Sequence, residues 1–276
     1  MKTRVAIAVA LALQFAFAAN ASPGERGDAA RSDAQRNDTA TARIPGATLT
    51  TILPPAPGVK SVSVAPFDVD RTPVTNAQFA AFVRKNPRWR RDRVARVFAD
   101  DSYLLQWNGP VTPAPGTARQ PVTGVSWFAA DAYCAARGAR LPTWHEWELL
   151  AAADASVADA RKDPAWLQAI LDWYARPATA PLPDVGAATP NVYGVRDVHG
   201  LVWEWVQDLS SMMVSSDNRE QGDPDTLRFC GTGALTMEQK ENYAMLMRIA
   251  TLSSMRASYS SKSMGFRCVT DAESRP

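Results

Sequence analysis

The sequence predicts an α+β fold, a single compact domain with much irregular loop. Three observations predict it. Apolar residues recur at helical spacing in the first part of the domain, from Phe79, Phe82 and Val83 onward. After Asn191 the pattern changes to short apolar runs split by glycine and polar turns. Nowhere do strand-like and helix-like segments alternate as a parallel sheet with crossover helices requires.

The elements follow in order. Lys2 and Arg4 precede an apolar run, Val5 to Ala18, that ends in small residues at Ala16-Phe17-Ala18 and Ala19-Asn20-Ala21. This layout predicts a cleaved export signal over residues 1–21, and hence a periplasmic or secreted protein. The other reading is a retained membrane anchor, for which the run is short. No membrane span is expected once the signal is removed. Residues 22–60, rich in Ala, Asp, Arg, Thr, Pro and Gly, predict a flexible linker, because such a segment buries too little surface to offset its ordering entropy. The domain is expected over 61–272, with a tail at 273–276.

Within the domain, Val62, Val64 and Phe67-Asp68-Val69 alternate as a strand does. Pro73-Val74-Thr75-Asn76 predicts a turn and a helix cap, with Thr75 or Asn76 accepting from first-turn amides. Arg84 to Arg96 is dense in arginine and reads as a solvated helical face; a nucleic-acid or phosphate patch is the alternative. Ser126 to Arg137 predicts a second helix with Trp127, Ala130 and Cys134 on one stripe, ended by Gly138 in a left-handed cap. Leu141-Pro142-Thr143 caps a third helix carrying Trp144, Trp147, Leu149 and Leu150. Residues 154–176 read as further helix that Pro164 interrupts or restarts. Pro177 to Pro190 is a Pro/Ala loop.

Composition narrows the function. Of 276 residues, 46% are apolar and 21% charged, an ordinary globular mix. Beyond residue 21, basic and acidic residues are equal in number, so nothing in the overall charge points to nucleic acid, and none is expected as a partner. There are two histidines, His145 and His199, which excludes three-histidine metal sites and the His-Glu-x-x-His zinc motif. The nucleophile elbow Gly-x-Ser-x-Gly and the Walker loop are missing, and Cys230-Gly231-Thr232-Gly233 lacks the third glycine of a dinucleotide fingerprint. Three cysteines in an oxidising compartment predict one bonded pair and one thiol left over.

Four segments carry a resemblance when taken together. They are Phe67-Asp68-Val69-Asp70-Arg71-Thr72-Pro73-Val74-Thr75-Asn76-Ala77-Gln78-Phe79; Gln120-Pro121-Val122-Thr123-Gly124-Val125-Ser126-Trp127 running through Ala132-Tyr133-Cys134 to Arg140-Leu141-Pro142-Thr143-Trp144-His145-Glu146-Trp147-Glu148; Asn191 to Trp205, with Asp197-Val198-His199-Gly200-Leu201-Val202-Trp203-Glu204-Trp205; and Gly265-Phe266-Arg267-Cys268. In this order they resemble the formylglycine-generating enzyme family, the sulfatase-modifying factors, over roughly residues 62–270.

The resemblance implies a fold similar to C-type lectin domains. It implies a calcium (Ca2+) loop in which Asp197 and Glu204 give side-chain oxygens and Gly200 and Val202 give carbonyls, a donor set that suits a hard cation. The other reading has Asp197 and Glu204 satisfying backbone amides in a bare loop. It also implies a Cys134–Cys268 disulfide, as in exported members; two buried free thiols are the alternative.

The family's copper(I) (Cu+) centre uses two cysteines with four residues between them. Their matched positions here are Gln239 and Ala244, and residues 231–267 contain no cysteine. The family's usual formylglycine-generating mechanism is therefore not expected. Arg248 matches an arginine after the second catalytic cysteine; a buried arginine paired with a carboxylate is the other reading. Cys230 stands beside Met237, Met245, Met247, Met255 and Met264, soft groups that suit copper(I) and equally fill irregular core gaps. Cys230 and Arg248 are the candidate catalytic residues.

The wider family includes sulfoxide synthases of ergothioneine-type pathways, pyoverdine-maturation oxidases and accessory proteins of copper nitrite reductases. Export and the missing pair resemble the latter two. The resemblance implies oxidative maturation of a peptide or protein by a non-standard route. The alternative is a non-catalytic lectin-like module that assists an exported redox or copper protein.

Overall fold

A computed structural model describes residues 41–55, 59–176, 181–208 and 243–272. A three-stranded antiparallel sheet ties the beginning of the domain to its end. Its order is β1 (Thr41–Ile44), β4 (Phe67–Asp70), β7 (Val269–Asp271), with Thr41 opposite Asp70 and Phe67 opposite Asp271. β2 (Ala47–Thr50) and β3 (Ser61–Val64) pair antiparallel, Ala47 opposite Val64. β5 (Trp203–Glu204) and β6 (Met264–Gly265) pair in parallel.

β4 is the central strand and all four of its residues are buried. Phe67 and Val69 enter the apolar core. Asp68 and Asp70 point to the opposite face of the strand, where burial is made tolerable by cations. Asp70 takes a two-pronged pair from Arg137 at 2.8 and 2.9 Å and accepts from the Cys268 amide at 3.1 Å. Asp68 pairs with Arg43 at 3.4 Å.

The helices begin where the sequence signals say. α1 (Asn76–Lys85) and α3 (Trp144–Ala152) each start with a capping box, Thr75 with Gln78 and Thr143 with Glu146. α2 (Trp127–Ala135) is capped by Ser126, whose hydroxyl accepts from the Ala129 amide. Gly138 follows it at φ +68°. α4 (Pro164–Tyr174) takes Pro164 as its first residue behind the Asp163 cap, so the proline starts a helix. The core between them is an aromatic cluster: Phe79, Phe82, Tyr133 and Phe266 make contacts with ring centroids 5.3–6.0 Å apart, each tilted or edge to face.

Three expectations are corrected. The linker expected over 22–60 is folded in its second half: β1 and β2 fall there, and Ala42, Ile44 and Leu49 are buried. Thr51 and the Ile52 amide also hold Glu148, at 2.6 and 3.0 Å. Composition alone cannot show this, because the ladder that orders β1 comes from β4, two dozen residues on. The arginine-dense run is not one helix: α1 stops at Lys85, a short 3-10 turn (Pro87–Trp89) follows, and Arg91 turns in to donate to the carbonyls of Leu104 and Trp107. The part after Asn191 is not short apolar runs alone: α5 (Tyr243–Ser253) is a helix of 11 residues. Met245 and Met247, which on a strand would share a face, therefore separate, Met245 into the core and Met247 to the surface.

Among the described residues no helix is long and apolar enough to cross a membrane. Cys134 on α2 and Cys268 before β7 form a disulfide, with Cα atoms 5.6 Å apart.

Candidate functional site

The site grows from the turn that leads into β5. Asp197 sits at φ +58° and Gly200 at φ +91°, a left-handed pair of positions that reverses the chain between them. The Asp197 carboxylate closes this turn onto the preceding loop by accepting from the amides of Gly186 and Ala188. His199 reaches the other way. Its Nε2 lies 2.8 Å from the carbonyl of Ala151, one of the carbonyls that end α3. Asn191 serves the neighbouring carbonyl of Leu150 at 3.0 Å. Desolvation lowers the His199 pKa to about 4, the Ala151 hydrogen bond opposing and Arg248 adding to the shift.

Seven residues after Asp197, Glu204 is buried completely. It accepts from Arg267 at 2.8–3.0 Å and from the Trp147 indole at 2.9 Å. The same arginine donates to the carbonyls of Asp70, Arg71 and Arg196, so one guanidinium joins β4, the Asp197 turn and β5. Arg248 of α5 lies beside this pair with 1% exposure. It stacks over Trp147 at 3.5 Å and donates through Nη2 to the Glu204 carbonyl, while its Nε has no partner. Desolvation pulls its pKa down to about 10, and the charge of Glu204 holds it up. Two buried guanidinium groups thus meet at Glu204, Arg267 on its carboxylate and Arg248 on its backbone carbonyl.

In front of this core lies a cleft of about 570 Å³. Its wall is aromatic: Trp173 and Tyr174 at the end of α4 and Trp203 of β5 have centroids 4.9–5.5 Å apart. Leu182 and Leu201 add apolar surface, and Gln106 and Gln120 add amides. Among the described residues, the charges lining the cleft are Lys262 and Arg176, with no carboxylate. A second cavity of about 370 Å³ adjoins it, and Trp173, Arg176 and Gly200 line both.

The expected calcium set is not assembled. Both oxygens of Glu204 face a guanidinium, and those of Asp197 serve two amides. A cation beside Arg267 would meet an opposing charge in the place of least solvent screening. Gly200 lines the cavities and Val202 packs with Val185 and Leu201. Among the described residues no cluster of three metal-ligating side chains exists.

The two-thiolate copper set does not fit either. Cys134 and Cys268 are consumed by the disulfide, leaving Cys230 as the single thiol of the chain, and position 244 is alanine. Cys230 and Met237 lie outside the described residues. Arg248 is buried as its alternative reading held, but over a tryptophan rather than in a direct pair with a carboxylate. Sequence reasoning passed over Trp173, Tyr174 and Lys262. A Trp-Tyr pair ending an amphipathic helix just before a proline-rich loop was the available signal.

The chain is similar to several known proteins. Residues 27–272 match the family described as "Sulfatase-modifying factor enzyme 1-like domain". A formylglycine-generating enzyme of Streptomyces coelicolor is 30% identical over 263 residues, covering 78% of this chain and 81% of the relative. An inactive C-alpha-formylglycine-generating enzyme 2 of Bos taurus is 28% identical over 256 residues, covering 79% and 81%. A hercynine oxygenase of Mycolicibacterium smegmatis is 36% identical over 164 residues, 52% of this chain and 37% of that protein.

Proposed function

Because this chain belongs to the sulfatase-modifying factor enzyme 1-like family, we propose that it holds a segment of an exported peptide or protein in the aromatic cleft and supports its oxidative maturation. The cleft carries the reading. Its tryptophan and tyrosine faces suit side chains and prolines of an extended segment, and its amides suit a peptide backbone. The route does not use a paired-thiolate copper centre, since one thiol remains in the whole chain. The residues that act on the segment are those that position it: Trp203 and Tyr174 stack, and Gln106, Gln120 and Lys262 orient.

That cysteine count also favours a second reading, a binding module that delivers or protects its partner without chemistry. Metal analysis of the mature protein purified from the periplasm, wild type beside Cys230→Ser, separates the two. A redox metal near one per chain that vanishes in the variant supports the oxidative reading. Peptide binding with no redox metal in either protein supports the module. Trp203→Ala tests what both share: it is expected to weaken binding of an extended peptide at least tenfold, and unchanged binding overturns the cleft.

A further inference from the structure

The second cavity is built differently from the cleft beside it. Trp166 and Trp173 wall it, with Ile170 and Val198. Its two carboxylates are engaged with backbone amides: Asp197 with Gly186 and Ala188, and Asp154 with Ser156 and Val157. Those carboxylates bar an anion from the cavity itself. His199 lines it with one ring nitrogen taken. A carbonyl only accepts, so the Nε2 bonded to Ala151 carries the proton. Nδ1 is then an acceptor, and no described residue donates to it. Arg176 stands at the rim shared with the cleft and has no ion-pair partner among the described residues.

We infer that this cavity is the side-chain pocket for an aromatic residue bearing a hydrogen-bond donor, tyrosine or tryptophan, from an acidic peptide lying in the cleft. The inference rests on the cleft reading above. The tryptophan walls receive the ring edge to face, and His199 Nδ1 accepts from the phenol or indole. Phenylalanine fills the walls and leaves Nδ1 unpaired. Arg176 and Lys262 face the acidic neighbours of that residue, which stay in the cleft, where no carboxylate opposes them. At about 370 Å³ the cavity is at the small end of ligand pockets, the scale of one side chain and not of a whole cofactor.

The test is a binding titration by ligand-observed NMR with the mature wild-type protein and four capped dipeptides: acetyl-Asp-Tyr-amide, acetyl-Asp-Phe-amide, acetyl-Asp-Ala-amide and acetyl-Lys-Tyr-amide. The expected order has Asp-Tyr tightest, Asp-Phe several-fold weaker, and Asp-Ala and Lys-Tyr weaker by about tenfold, the scale of one uncharged hydrogen bond or one ring contact. Trp166→Ala is expected to erase the difference between Tyr and Ala. Arg176→Glu, an exposed change that leaves the core alone, is expected to reverse the preference between Asp-Tyr and Lys-Tyr. Equal binding of all four, or Arg176→Glu without effect on their order, overturns the inference. A longer peptide that still depends on Trp203 in that case leaves the cleft reading standing.

Discussion

Glu204→Gln keeps the shape of the side chain and removes the carboxylate that pairs with Arg267 and whose charge also holds up the pKa of buried Arg248. Glu204 and Arg267 are 0% exposed and Arg248 is 1% exposed, so water cannot take over. Removing one partner of a buried ion pair costs about 3–5 kcal/mol, chiefly through the charge left behind. Here two like charges are left, which places the expected loss at the upper part of that range. Against a total stability of about 5–15 kcal/mol, the variant folds but melts roughly 10 °C lower or more. The cause can be isolated with Arg248→Met. In the wild type this second change forfeits the stack on Trp147 and the bond to the Glu204 carbonyl, whereas in the Glu204→Gln background it also relieves repulsion from Arg267. Its cost should therefore be smaller in the Glu204→Gln background by about 1–2 kcal/mol, a coupling of the size that contacting residues show. Urea unfolding of the four oxidised proteins measures it. A Glu204→Gln loss below about 1 kcal/mol, or an Arg248→Met cost equal in both backgrounds, refutes the role of the Glu204 charge.

Further outcomes can be checked on the same protein. Replacing Cys134 and Cys268 together by alanine opens a link between residues 134 apart in sequence and is expected to lose about 4 kcal/mol; equal unfolding midpoints with and without reductant would count against it. Gly46→Ala forces a Cβ to 2.7 Å from the Val64 carbonyl oxygen at φ +49° and should cost about 2 kcal/mol or more, read from the same urea curves. Thr143→Ala removes the hydroxyl that accepts from the Glu146 amide and should cost about 1 kcal/mol, with Thr143→Ser restoring most of it. His199 titrates near 4 in the folded protein against an ordinary 6.5, so folding favours its neutral form. Its contribution is whole above pH 6.5 and is lost as the pH falls through 4; a stability profile in His199→Gln that is as steep as the wild type over that window would contradict it.

The helix starts were legible because caps are local. Thr75, Ser126 and Thr143 each satisfy an amide three residues on, and Asp163 one two residues on, a relation that spacing alone displays. Gly138 was legible for the same reason. The disulfide partners were implied by the family resemblance, and the structure joins them. The site was legible in its residues and not in their roles: Asp197, Gly200 and Glu204 do stand at one turn, but which groups face their oxygens depends on Arg267 and on the Gly186 loop, distant in sequence.

By itself, then, the sequence determined the family, the fold class and the places where helices begin. These rest on short-range hydrogen bonds and on motifs whose order survives in one dimension. Only the tertiary structure decided that β1 belongs to the domain, since its ladder is supplied by β4. It alone brought Arg267, distant in sequence, onto both oxygens of Glu204. It alone brought Trp173 and Tyr174 of α4 against Trp203 of β5 to make a cleft. Each is a pairing between distant segments, settled by which buried charge finds a partner and which apolar face finds cover.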